Sequence, residues 1–355
     1  MKTLFTLLLL LGVTASVWAQ PAGERSPLAS DLAAVPNDAF LFGHVKIADL
    51  WKNDALKDVR MILLKAGSKA LDAFDKRYTP SFSSLERLTV YAPLPDFNGP
   101  PNFMPVFILA LNQPVEQKAF LKQFPGKVTE KKGKIASYFV AGDDLGVRFI
   151  DTKTFAIGPA DAIANMCDTP LPKKAGPLTP ALELANGNRP LIISLNASLF
   201  PQEEFKRMLE EVPPPLRPLL AFETVTLSLD LEKDGNLYAQ VIYPDKKVAD
   251  EAEKALKDAT VMLKKMIDDT RKELEKNVLG DGKDPKLEEL HIAALSLLGL
   301  GALQHAEDLL KAEPVKRVGN SFNLALALPP HFKSALGTLA LAGASSWASP
   351  VIAIG

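Results

Sequence analysis

In AFLFGHVKIADLWK, Ala39 to Lys52, an apolar strand-like run ends in a short polar turn and passes straight into helix-spaced apolar residues. RPLIISLNASLFP, Arg189 to Pro201, follows the same course later in the chain. A strand that feeds directly into a helix has an apolar face on each element to bury. Such a unit therefore demands a sheet with helices packed on it. Its recurrence predicts one structural unit used twice.

The elements around the two stretches keep the same order. LERLTVYAPL, Leu85 to Leu94, reads as a strand and corresponds to FETVTLSLDL. MPVFILALN, Met104 to Asn112, is a near-continuous apolar strand leading through a proline into the helix EQKAFLKQF. Its counterpart, LYAQVIYP, leads into a charged helix from Lys246 to about Lys276. Val225, Leu227, Leu229 and Leu231 alternate strictly before the turn KDGN, the pattern of a hairpin. The first half closes on three short strands separated by Gly, Asp and Lys turns, and the second on a strand pair or hairpin in VKRVGNSFNLALALP. These patterns predict an α+β class: two related lobes, each a mainly antiparallel sheet with helices packed on one face. The lobes are expected at 33–167 and 186–330, the second with a long helical insertion. A Pro-rich linker at 168–185 is expected between them, built on DTPLPKKAGPLTP.

The N-terminus reads as an export signal. Lys2 precedes an apolar run from Leu4 to Val13, and small residues follow. Val17 and Ala19 place the expected cleavage between Ala19 and Gln20, giving a signal peptide at 1–19 and a flexible tether at 20–32. The expected location is periplasmic or secreted, in a bacterium. The apolar tail at 331–355 carries no charge after Lys333 but is rich in Ala, Gly and Ser, residues of low insertion energy. It is expected to dock or fray, with membrane contact the lesser alternative. Of 355 residues, 41 are basic and 42 acidic, so no electrostatic footprint for nucleic acid exists. At 47% hydrophobic the chain has ample material for a core, and it must rely on that core, since a lone Cys167 can form no internal disulfide.

The chemistry-bearing residues form no familiar constellation. Nucleophile-elbow and phosphate-loop motifs are absent. With one Cys and four His, no Cys/His zinc cluster arises at short spacing. On one helix His291 and His305 would stand about 21 Å apart, too far to share a metal. Cys167, at the start of a Pro-rich loop, has no His within 100 residues and reads as a packed residue. His44 lies on a strand rich in Phe and Val and reads as a satisfied core or rim histidine. Asp143 and Asp144 in GDDLG, like GDGKDP at Gly280 to Pro285, read as turn chemistry. NAS at Asn196 is a glycosylation sequon by pattern only. No catalytic, cofactor-binding or metal-binding residue is assigned, and no cofactor is expected.

Between Val35 and Gly158 the chain resembles a loose group of uncharacterised exported bacterial proteins. The resemblance rests on VPNDAFLFGHVKIADL and on GKIASYFV followed by FIDTKTFAIG. It implies export and an α+β fold, and no active-site residues. The expected function is that of a non-enzymatic binding or interaction protein of the cell envelope, its partner an unidentified protein or envelope component. The alternative is a carrier of an apolar small molecule, such as a lipid, held between sheet and helices.

Overall fold

The structure is a computed structural model. It describes residues 27–37, 39–65, 67–76, 80–94, 105–142, 144–169, 176–231, 236–279 and 315–327, with scattered positions between 296 and 310. Ala19, Gln20, Asp143, the loop 280–285, His291, His305, His331 and the C-terminal tail lie outside the described residues.

The class is α+β. In chain order come α1 (Ser30–Ala33), β1 (Leu41–Val45), α2 (Ile47–Lys52), α3 (Lys57–Lys65), α4 (Ser68–Lys76), β2 (Leu85–Ala92), β3 (Val106–Leu111) and α5 (Gln117–Leu121). Next are β4 (Val128–Lys132), β5 (Ser137–Ala141), β6 (Leu145–Phe149), β7 (Thr154–Pro159) and α6 (Ala160–Asp168). The second half holds α7 (Thr179–Asn186), β8 (Leu191–Asn196), a 3₁₀ turn (Ala197–Leu199), α8 (Gln202–Glu210), a 3₁₀ segment (Pro214–Leu220), β9 (Thr224–Asp230) and β10 (Asn236–Ile242). It closes with α9 (Lys246–Leu279), β11 (Val315–Val318) and β12 (Ser321–Ala327). Pairing is antiparallel from β9 through β8, β1, β2, β3, β7, β6 and β5 to β4 and between β11 and β12. The order helix, strand, helical turn, strand, strand, helix, closing strands thus occurs twice.

The halves do not form lobes at the expected boundaries. One compact unit spans Gln20–Leu199 with Thr224–Leu237, and the other Phe200–Glu223 with Tyr238–Ala327. The reason is a strand pair. β1 and β8, the opening strands of the two halves, lie side by side antiparallel, Leu41 opposite Leu195, Gly43 opposite Ile193 and Val45 opposite Leu191. Within the first unit the strands run β9-β8-β1-β2-β3-β7-β6-β5-β4. Sequence patterns record which face of a strand is apolar, whereas the choice of neighbour rests on backbone hydrogen bonds that every residue offers alike.

Helices cover both faces of this sheet rather than one. Successive residues on a strand point to opposite faces, and here both are apolar. Val45, Val90, Leu109 and Phe155 enter one core with Leu50 of α2 and Phe120 of α5. Phe42, Tyr91, Ile108, Ala156 and Ile192 enter a second with Leu32 of α1, Ile163 and Cys167 of α6, and Leu182 of α7. Leu32, placed in the expected tether, is therefore core. Part of the expected linker is α7, with Ala181, Leu182 and Ala185 buried. Cys167 sits in a helix and not in a loop. Gly146 permits close packing of α6 on β6, since a Cβ there would come 2.7 Å from Cβ of Ile163. β4 escapes the sequence patterns because VTEKK is polar, the composition of a protected edge strand.

In the second unit, strands run β11-β12-β10. β11 and β12 join tightly at Gly319, whose φ of +64° suits glycine. α9 spans 34 residues, about 50 Å at 1.5 Å per residue. Arg317 of β11 grips its first turns, 2.7 Å from Glu253 and 2.6 Å from Asp250, with its guanidinium over Phe322.

Phe155 is fully buried, 4.7 Å from the Phe120 ring centroid, and shows how much the first core contributes. Phe155→Ala is expected to lower stability by about 3–5 kcal/mol, read from the urea midpoint at constant slope. A loss below about 1 kcal/mol would show that this core is not close-packed.

Candidate functional site

The chemistry-bearing side chains that the fold brings together lie where Asp31 of α1, a helix packed on β3, β7 and α7, reaches β1 and β2. Phe42 and His44 share one face of β1, with near-parallel rings 6.5 Å apart. Thr89 stands opposite His44 in the β1–β2 register. Its hydroxyl is 2.8 Å from Nδ1 of His44 and 3.0 Å from Oδ2 of Asp31 on α1. Asp31 also accepts hydrogen bonds from Arg87, at 3.2 Å from Nη2 and 3.3 Å from Nε. His44, Thr89 and Asp31 are all fully buried. Arg87 reaches partly into solvent, where Glu86 meets it at 2.7 Å.

Donor and acceptor roles follow from the chemistry. An ionised carboxylate only accepts, so the Thr89 hydroxyl donates to Asp31 and accepts from His44. Nδ1 therefore carries the proton of the neutral imidazole. Nε2 is buried and has no hydrogen-bond partner among the described residues. Burial pushes the His44 pKa down to about 4, with Asp31 opposing and Lys46 and Arg87 assisting. Lys46, which joins β1 to α2, donates from Nζ to the Gly187 carbonyl at the end of α7. Its pKa is lowered, chiefly by burial.

The second half holds a counterpart. Ser194 and Thr226 face each other in the β8–β9 register and their hydroxyls are 2.8 Å apart, buried. Shifting β1 by 150 residues and β2 by 137 carries His44 and Thr89 onto this pair while preserving both registers. The same shift takes Asp31 to Ala181, so the second half lacks both the imidazole and the carboxylate.

Two open hollows lie among the described residues of the first unit. One, about 200 Å³, is lined by Asp49, Asn53, Asn188, Pro190, Asp230 and Leu231. The other, about 170 Å³, lies among Ser81, Ser84, Gln113, Glu116 and Phe120. Neither is lined by His44 or Asp31. In the first, Asp230 is paired with Arg189 at 2.8 Å. Among the described residues no group of three His, Cys, Asp or Glu side chains is placed to hold a metal.

His44 occupies the core position expected of it, but its partner Asp31 fell in the expected tether and went unread. The signal was a lone acidic residue in the short apolar stretch LASDLAAV. Cys167 is buried in α6, which pushes its thiol pKa up and leaves it a poor nucleophile. Asp144 lies in a turn, where its carbonyl accepts from the Ala160 amide at 2.7 Å. Asn196 is fully buried at the end of β8 and holds the Ser198 hydroxyl at 2.6 Å, so the folded sequon is closed to modification. Among helices of the described residues, none is long and apolar enough to cross a membrane.

No protein family matches the chain, and no curated protein does. Among solved structures it is similar to three crystal forms of TP0453. Form I aligns at 9% identity and a TM-score of 0.35, covering 89% of this chain and 99% of that one. Form III gives 9% and 0.35, covering 86% and 97%. Form IV gives 6% and 0.37, covering 87% and 96%. A likeness this distant assigns no residue and no activity.

The two buried pairs differ in what their loss leaves behind. Thr89→Val strands both the Asp31 Oδ2 and the His44 Nδ1, and is expected to cost about 1–3 kcal/mol. Thr226→Val is expected to cost less, because Ser194 retains the Val225 carbonyl at 3.2 Å. Paired denaturant titrations at pH 7.5 read the difference; equal losses would mean Thr89 bridges nothing.

Proposed function

We propose that the chain is an exported, non-enzymatic interaction protein of the bacterial cell envelope, binding a protein or other envelope component. The observation that carries this reading is α3. Met61 is 45% exposed, Ile62 67% and Leu64 64%, so three large apolar side chains stand in solvent within one nine-residue helix. Scattered exposed apolar residues are ordinary, but a cluster on one short element is the character of a binding surface. Lys57 and Lys65, both exposed, border it with charge. The export pattern around Ala19 and Gln20 supports the envelope as the setting.

Carriage of an apolar molecule gains no support from either hollow. Pockets that enclose a drug-sized ligand measure roughly 300–1,000 Å³, above the 200 and 170 Å³ found here.

A photo-crosslinking amino acid in place of Ile62, in the full chain expressed in an exporting host, tests the interaction reading. The expected result is one protein adduct of defined mass that disappears when Leu64→Glu is added. Both substitutions are expected to change stability by less than about 0.5 kcal/mol, since the sites are exposed. Adducts indifferent to Leu64→Glu, or no adduct at all, would overturn this reading of α3.

A further inference from the structure

Residues 27–37 form a strap across the second core. Their apolar anchors are Leu32, Ala34 and Val35, all buried. Polar contacts tie the strap to three elements. Asn186 of α7 accepts from the Ala29 amide at 3.2 Å and donates to the Pro27 carbonyl at 3.2 Å. Ser30 meets Thr154 of β7 at 3.0 Å. Asp31 takes Arg87 and Thr89 of β2.

His44 lies beneath this strap with its Nε2 unsatisfied. Protonation would place a second N–H, and a positive charge, where no acceptor stands among the described residues. The charged groups acting on the ring are Asp31 from α1, Arg87 from β2 and Lys46 from the turn between β1 and α2, while β8 contributes the apolar Ile192 opposite it. Asp31 is already engaged by Arg87, so two cations oppose the imidazolium and one committed anion favours it. Water is the remaining acceptor, and water enters only if the cover lifts. Of the covering helices, α1 is one turn, whereas α6 and α7 have nine and eight residues. The strap is therefore the element that gives way.

We infer that the His44–Thr89–Asp31 line is a pH-sensitive latch that holds the strap down at neutral pH and releases it on acidification. The second half supplies an internal control. At the equivalent position Ser194 bonds Thr226 with no ionisable group, so the β8–β9 side of the same core has no such response.

The sign follows from linkage. The docked imidazole has its pKa lowered from the ordinary 6.5, so the open state takes up a proton that the docked state refuses. Docking is at full strength above about pH 6.5 and weakens as pH falls toward 4. Between pH 7.5 and pH 5, opening becomes about thirtyfold more frequent.

Hydrogen exchange on the full chain tests this. The readout is the amides of Ala33 and Val35, which donate to the Ala29 and Leu32 carbonyls within the strap. After correction for intrinsic exchange, these amides should open about thirtyfold more often at pH 5 than at pH 7.5, with β3 amides unchanged. His44→Ser, which installs the residue of the second half, should abolish the pH dependence; His44→Asn serves if the serine variant does not fold. Acceleration persisting in the variant, or absent from the native chain, overturns the latch. So does a His44 ring resonance in the folded protein titrating near 6.5.

Discussion

The antiparallel pairing of β1 with β8 is the constraint on which the rest of the first unit depends. It joins two segments about 150 residues apart, and it sets what every flanking strand faces. With β8 on one side and β2 on the other, β1 has no edge, and both of its faces are buried. Each face must then be covered, which draws α2 and α5 to one side and α1, α6 and α7 to the other. Gly43 and Ile193 stand opposite each other at the centre of the pair.

A fully covered strand accepts a polar residue only when its partner lies within the same layer, because no water is available to satisfy it. Here the two halves reach different solutions to that demand. The second uses two hydroxyls that satisfy each other and carry no charge. In the first, an imidazole, a hydroxyl and a carboxylate stand in line, and a guanidinium neutralises the carboxylate at the solvent margin. The first arrangement pins α1 more firmly while the imidazole is neutral, at the cost of an unsatisfied nitrogen. Stability and sensitivity to acid thus have one origin.

The proposed interaction role and the latch draw on different parts of the first unit. α3 presents Met61, Ile62 and Leu64 to solvent, whereas the polar line of His44, Thr89 and Asp31 is buried. The strap lies at the N-terminal start of the described residues, a few residues after the expected cleavage site. An exported chain meets solutions whose pH the cell does not buffer, so a proton-linked strap fits the proposed setting.

Much of the architecture is legible in local pattern. The period-two alternation of Val225, Leu227 and Leu229, the apolar run Val106 to Leu111, and the charged 34-residue helix α9 all follow from the burial of one face or stripe. The repeat of element order is legible for the same reason. Elements whose signal is tertiary were not. β4 is polar because it forms an edge, and α7 follows a run of prolines that reads as a linker. The boundary of the compact units and the second helical layer were decided by which strands paired, and backbone hydrogen bonding leaves no mark on composition. His44 by itself predicted a satisfied core histidine; that its satisfaction comes from Thr89 and Asp31, with Nε2 left over, was decided only when α1 folded onto β3 and β7. A single residue type specifies what a side chain can donate or accept, and tertiary structure alone specifies what stands within 3 Å of it.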